Sequence, residues 1–359
     1  MTYNAGICVN RGSRCVIAMT SLSAEIVGPN PERVLQTLNA YQETAVLKTA
    51  IELDIFTVIA IGSNDAAALA RATGASERGI RILCDFLTIQ GFLVKSANRY
   101  GLTEESAMFL DRRSPACLAS VSEFLGSEDH KECFDSLTPA VRKGGTAAST
   151  GDNTKPNDEF WVRFARAMAP LTIPTAQFVA ELVRADGHRA CKVLDIAAGH
   201  GMYGVTVAER NPQAEIVAVD WPAVLEVAKE NAKSHGVAAR YHAEPGSAFA
   251  VDLGTGYDYV MLTAILHHFD VPTCEKLIER VHAALKPRGK AVTVDSIPNE
   301  DRVTPPTAAR FALVMLATTD AGDTYTFSEY EAMFRKAGFT RSTLHAPTKL
   351  RNQVVVSEK

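Results

Sequence analysis

The sequence predicts an α/β fold: an open, mostly parallel, doubly wound sheet, preceded by a helical region that ends in a winged-helix pattern. Three observations predict it. From Lys192 onward, short apolar runs at 193–194, 216–219, 259–262 and 291–294 alternate with helical segments. Right-handed crossovers then place helices on both faces of a parallel sheet. The first run leads into "DIAAGHGMYG" (195–204), a glycine-rich strand-to-helix turn. The N-terminal third instead carries helical periodicity closed by two short strands.

The elements follow in order. Residues 1–28, beginning "MTYNAGICVNRGSRCVIAMTS", hold only a short apolar segment, below a membrane span and without the uninterrupted centre of a secretory signal. They read as a disordered leader, with Met19 as a candidate start. From Pro31, apolar residues at helical spacing (Val34, Leu35, Leu38, Tyr41, Ala45, Val46, Ala50, Ile51, Leu53) predict one or two amphipathic helices rich enough in apolar surface to need a partner. "NDAAALARATGASERGIRILCDFLTIQGFLVKSANRYGLTEESAMFL" reads as helix, glycine turn, helix and two strands around 92–94 and 100–102. Arg78 and Arg81 on the second helix admit DNA binding, but the apolar residues around them favour a scaffold. "RKGGTAASTGDNTKPNDE" (142–159) reads as a mobile connection. Beyond the alternating region, "RSTLHAP" and "QVVVSE" predict an antiparallel pair at one sheet edge.

Composition narrows the function. The 37 basic and 41 acidic residues give a net charge of −4, so no global basic field draws nucleic acid. Seven cysteines show neither C-x-x-C nor zinc spacing, which argues against a disulfide framework or zinc ribbon and for a reducing, cytoplasmic setting.

The glycine turn has two readings. From Gly199 it contains G-x-G-x-x-G (Gly199, Gly201, Gly204), the nicotinamide-dinucleotide fingerprint; from Asp195 it is an acidic strand tip followed by Gly-x-Gly. Either way, glycine lets a ligand reach the backbone, and Asp220, at the end of the next strand, can accept both ribose hydroxyl protons. Asp195 separates the readings, because a carboxylate there repels a pyrophosphate. It suits S-adenosylmethionine, which carries a sulfonium and an amino group and no phosphate. The third reading is a structural turn with Asp195 capping the helix.

With "FWVRFARAM", "VLDIAAGHG", "IVAVDWPAV", "ILHHFD" and "LKPRGKAVTVDS" in this order, the chain from about residue 30 to 359 resembles the bacterial branch of the acetylserotonin/caffeate-type S-adenosylmethionine-dependent O-methyltransferases. The resemblance implies a Rossmann-like class I methyltransferase domain with a reversed final strand (189–359). It also implies a helical, winged-helix dimerisation domain (29–115) and connecting helices that wall the acceptor pocket (116–188). The partners it implies are a small-molecule acceptor and a second copy of the chain, exchanged through the N-terminal helices; neither nucleic acid nor membrane is expected. Asp195, Gly199, Gly201, Asp220, Trp221 and Ser247 are the implied cofactor residues. Ser247 replaces an aspartate, and Ala197 a glycine, common in relatives.

Methyl transfer to a hydroxyl needs alignment and removal of the hydroxyl proton. His267, just past the strand at 259–262, stands at the sheet edge where open α/β folds bind ligands, and the resemblance makes it the general base. His268 departs from the acidic residue usual there. The resemblance expects a glutamate where Thr324 stands, with Asp323 only beside it, so Asp295 becomes the carboxylate expected to orient His267. No metal site is expected from His267, His268 and Asp270. The acceptor pocket is expected from Phe160, Trp161, Phe164 and Met168 and from Phe311 and Met315, with Tyr325 as a further candidate; core packing explains the same spacing equally well. Ala165 replaces an asparagine often found in relatives. The readings that stay open are a cofactor-binding enzyme acting on nitrogen or carbon or without methyl transfer, a non-catalytic winged-helix regulator or sensor, and the dehydrogenase.

Overall fold

The computed structural model describes residues 29–152, 154, 158–184 and 189–359; the expected leader at 1–28 lies outside them. The chain divides into two compact units, one ending at Thr44 and one running from Ala45 to Lys359. In the first, the start of the helix Glu32–Glu52 bears exposed Val34, Leu35, Leu38 and Tyr41. No helix of the described residues is long and apolar enough to cross a membrane.

In the second unit the helices Ile55–Ala60, Ala66–Thr73 and Glu77–Ile89 are followed by the antiparallel strands β1 (Leu93–Ser96) and β2 (Arg99–Leu102). Local chemistry sets the boundaries. The Asp65 and Ser76 side chains cap the second and third helices by accepting from the Ala68 and Gly79 amides, and Gly74 ends the second helix at φ 69°. Ile55, Phe56, Leu69, Ile80, Leu87 and Leu93 close a core between them. Arg81 pairs with Asp85 at 3.1 Å.

The main sheet contains β3 (Cys191–Ile196), β4 (Ala214–Asp220), β5 (Tyr241–Pro245), β6 (Tyr257–Thr263), β7 (Leu285–Asp295), β8 (Arg341–His345) and β9 (Gln353–Glu358). Its order is β5-β4-β3-β6-β7-β9-β8. Strands β3 to β7 run parallel; β9 is antiparallel to both β7 and β8. The edge pair expected from the last two apolar runs therefore forms, with β9 reversed inside the sheet. Period-two alternation sends Val193 into the core beneath the helices Asp158–Arg184 and Met202–Arg210, and Leu194 and Ile196 into the opposite core beneath Val271–Ala284 and Phe327–Lys336.

The stretch expected to be a mobile connection is tied down in part. The Thr146 amide donates to the Thr319 carbonyl at 2.8 Å, the Lys143 ammonium reaches the Thr146 carbonyl at 2.8 Å, and Thr146 and Ala148 are buried. Polar composition alone does not reveal such pairing with a distant segment.

Candidate active site

The carboxyl ends of β3, β4, β6 and β7 converge on one cavity of about 440 Å³. After β3 the backbone turns through Ala197 (φ 54°), Gly199 (φ 57°) and Gly201 (φ 73°). The two glycines serve different needs. A Cβ at Gly199 meets nothing closer than the Ala197 carbonyl at 4.0 Å, so this residue is open to the cavity it lines. A Cβ at Gly201 would stand 2.6 Å from Tyr241 Oη and 2.8 Å from Ala228 Cβ. Gly201 thus lets the helix Met202–Arg210 close on its neighbours and is not among the residues lining the cavity, which its neighbours Gly199 and His200 do line. Gly201→Ala is expected to destabilise the fold by about 1–3 kcal/mol, the usual cost of overpacking, read as a shift in the urea midpoint.

His200, between the glycines, pins the turn. Its Nδ1 accepts from the Met202 amide at 3.1 Å, so Nε2 carries the proton and donates to Thr172 Oγ1 at 3.1 Å. Its carbonyl accepts from Asn231 Nδ2 at 2.8 Å. Burial pushes this imidazole down to about 4, so it stays neutral.

Asp220 ends β4 and lines the cavity. Its Oδ2 accepts from the Gly199 amide at 2.8 Å and its Oδ1 from the Trp221 amide at 2.7 Å, which ties loop and strand tip together and leaves lone pairs free. Burial raises this carboxyl to about 6, against the pull of those two amides. Asp195 was expected to face the same ligand and does not. It shares the face of Val193 on β3, is fully buried, has no hydrogen-bond partner at either oxygen and lies outside the cavity lining. A Cβ at Gly204 in the overlying helix would be 3.2 Å from its Oδ2. Burial first, and Asp220 last, raise Asp195 to about 7; the Gly204 amide above it, short of hydrogen-bond geometry, pulls the other way. It does not cap the helix either. Trp221 and Ser247 do line the cavity.

Of the expected acceptor residues, Trp161, Phe164 and Met168 line the cavity from one stripe of the helix Asp158–Arg184. Phe160 does not: it is turned into a cluster with Phe124, ring centres 5.3 Å apart. Met315 is buried outside the lining. Phe311 meets the His267 ring edge-on at 4.9 Å rather than forming the lining. Phe249, Ile265 and Phe269 line the cavity without having been singled out from the sequence. Nothing in their spacing separates them from ordinary core.

His267 lies in a short 3₁₀ turn, Leu266–His268, after β6; like Asp295 it is buried just behind the residues that line the cavity, next to Leu266 and to His268, which does line it. Its Nδ1 pairs with Asp295 Oδ1 at 2.6 Å, both side chains being almost fully buried. The other Asp295 oxygen accepts from Tyr330 Oη at 2.8 Å, and Oδ1 also accepts from the Ser296 amide at 2.8 Å. A carboxylate held by three donors accepts from His267, so Nδ1 bears the proton and Nε2 presents its lone pair. Among the described residues, nothing pairs with that Nε2. The Asp323 amide donates to the His267 carbonyl at 3.0 Å, while the Asp323 carboxylate turns to Arg302. A Cβ at Gly322 would collide with the His267 carbonyl. Asp270 caps the helix Val271–Ala284 through the Thr273 amide. Among the described residues no group of three or more His, Cys, Asp or Glu is arranged to hold a metal.

The chain that carries this site matches two known family models. The O-methyltransferase domain matches residues 143–340 and the O-methyltransferase dimerisation domain residues 35–112. This chain is a member of the O-methyltransferase family. The O-methyltransferase is 51% identical to a Nostoc punctiforme protein of known crystal structure, with a TM-score of 0.88 over 92% of this chain and 100% of that one. It is 26% identical to the mitomycin biosynthesis 6-O-methyltransferase of Streptomyces lavendulae over 86% of this chain and 88% of the relative. The fold is also that of human N-acetylserotonin methyltransferase in complex with S-adenosylmethionine, with a TM-score of 0.81 at 23% identity over 93% and 99% of the two chains.

Proposed function

We propose that this O-methyltransferase moves a methyl group from S-adenosylmethionine to a hydroxyl of a small aromatic or polyketide-like acceptor, with His267 as general base. The observation that carries the reading is the buried His267–Asp295 pair at 2.6 Å, which leaves Nε2 without a partner among the described residues. The mitomycin relative and the flat apolar wall of Trp161, Phe164 and Met168 support a planar acceptor.

The residues present fit the cofactor. Gly199 leaves backbone open to a ligand, Asp220 keeps lone pairs for two ribose hydroxyls, and Trp221 and Phe249 flank the cavity with flat apolar surface. When bound, S-adenosylmethionine supplies a methyl group activated by its sulfonium. His267 Nε2 takes the proton of the acceptor hydroxyl as the oxygen attacks in line. Asp295 holds the ring in the tautomer that leaves Nε2 free, stabilises the imidazolium that results, and is itself held by Tyr330 and Ser296. Trp161, Phe164 and Met168 orient the acceptor and exclude water.

We further assign residues 29–115 to a dimerisation domain that joins two copies of the chain, 116–188 to the connecting helices and pocket wall, and 189–359 to cofactor binding. The exposed apolar stripe of Val34, Leu35, Leu38 and Tyr41 supports the first assignment. Parallel calorimetric titrations with S-adenosylmethionine, S-adenosylhomocysteine and NAD test the reading. Binding of the first two alone is the expected result; binding of NAD alone would restore the dehydrogenase reading.

Tyr330 serves as a positioning residue. Tyr330→Phe removes one buried hydrogen bond to Asp295 and is expected to cost about 1.5–3 kcal/mol of stability. It should also lower kcat more than it raises KM and displace the pH profile of kcat. A loss of stability with an unmoved pH profile would reduce Tyr330 to a core residue.

A further inference from the structure

Val294 and Asp295, successive residues at the end of β7, face opposite sides of the sheet. Asp295 lies on one side with His267 and Tyr330. Val294 lies on the other, paired with Thr263 of β6 and Val354 of β9, and it shares a core with Tyr203 of the helix Met202–Arg210. Thr263, Val294 and Tyr203 line the cavity from that side, joined by Asn352, two residues before Val354. Tyr203 is only 4% exposed. Its hydroxyl has no hydrogen-bond partner among the described residues, and unlike Tyr241 Oη it is not sealed from solvent, so it opens onto the cavity that the residue lines. Burial, and after it Asp195 and Asp295, raise this phenol above its usual range, which keeps it a donor. The Asn352 amide is likewise without a partner among the described residues. Thr172 and His200, on the same wall, are already paired with each other at 3.1 Å.

We propose that Tyr203 Oη and Asn352 Nδ2 bind the methionine carboxylate of S-adenosylmethionine and thereby help to aim its methyl group. The proposal rests on the cofactor reading. A sulfonium carries three arms. Asp220, at the end of β4, holds the ribose arm, and the methyl must point to the side of His267; the amino-acid arm is then directed to the remaining polar wall. Among the described residues no lysine or arginine lines the cavity, and its two histidines, His200 and His268, are held neutral by burial. The cofactor carboxylate therefore meets no cation there, and neutral donors have to hold it. A phenol and a primary amide are such donors, and hydrogen bonds to an ionised acceptor are the stronger kind. Fixing the far end of the arm restricts the rotations that would swing the methyl out of line with the acceptor oxygen.

Calorimetric titration of the full chain tests it with two ligands: S-adenosylmethionine, and decarboxylated S-adenosylmethionine, which keeps the sulfonium and the amine and lacks only the carboxylate. The proteins are the wild type, Tyr203→Phe and Asn352→Asp, with thermal unfolding as a check of fold. The wild type is expected to prefer S-adenosylmethionine by at least about tenfold, the scale of one hydrogen bond to a charged group. Tyr203→Phe, which keeps the packed ring, should lose about 10–100-fold in affinity for S-adenosylmethionine and leave the decarboxylated ligand unaffected. Asn352→Asp, which sets carboxylate against carboxylate, should reverse the order of the two ligands, and it decides the matter alone if Tyr203→Phe unfolds. A wild type that does not discriminate, or variants that weaken both ligands equally or neither, overturn the proposal. Unchanged cofactor affinity with a raised KM for the acceptor also overturns it and moves these two side chains to the acceptor. A wild type that binds neither ligand overturns the underlying functional reading instead.

Discussion

His267→Ala is expected to lower kcat by about 10²–10⁴-fold, the range of general-base catalysis, while S-adenosylmethionine still binds in calorimetry. The separation follows from position: His267 follows β6 and pairs with Asp295, whereas the proposed ribose contact, Asp220, ends β4. Asp295→Asn is expected to fall in the same direction for a related reason. The amide can present N–H to His267 Nδ1, which moves the ring proton to Nε2 and removes the base's lone pair. Single-turnover rates measured at saturating cofactor separate this loss from any change in binding. Unchanged turnover in His267→Ala would remove the base assignment.

Asp220→Ala is expected to weaken S-adenosylmethionine binding by about 10²–10⁴-fold. Two hydrogen bonds from ribose hydroxyls to a carboxylate contribute about 1.5–3 kcal/mol each, and the Gly199 and Trp221 amides lose their acceptor as well. The pH dependence has a definite sign. With its carboxyl raised to about 6 by burial, Asp220 is protonated in the ligand-free protein at lower pH. A cationic cofactor favours the ionised form, so binding takes up no proton well above pH 6 and requires proton release below it. Affinity should be flat at pH 8 and decline as pH falls through 6, and Asp220→Asn should remove that decline. A wild-type affinity indifferent to pH between 5 and 8 would count against Asp220 as the contact.

Much of this molecule is local and therefore legible in one dimension. Period-two apolar runs separated by helical ones specify the parallel sheet, and the glycine turn between 195 and 204 and the carboxylate ending β4 mark where a nucleoside can sit. The histidine after β6 is marked in the same way, because strand ends of such sheets face ligands whatever the loops contain. The helical stripe of Trp161, Phe164 and Met168 was visible too, although its spacing does not say that Phe160, one position away, turns to Phe124.

The sequence by itself determined the order of elements, the fold class and the loops that carry chemistry, because these depend on periodicity and on residues a few positions apart. Only the tertiary structure decided which side chains meet. His267 and Asp295 are 28 residues apart, and Asp295 and Tyr330 are 35 apart, on elements whose register no local pattern fixes. It also decided sidedness. Asp195 lies beneath the glycine turn instead of facing the cavity, because alternation along β3 assigns it to the face covered by the helix Met202–Arg210. That Gly201 must be glycine for the helix's close packing also depends on the third dimension, where Tyr241 and Ala228 occupy the space a side chain would need.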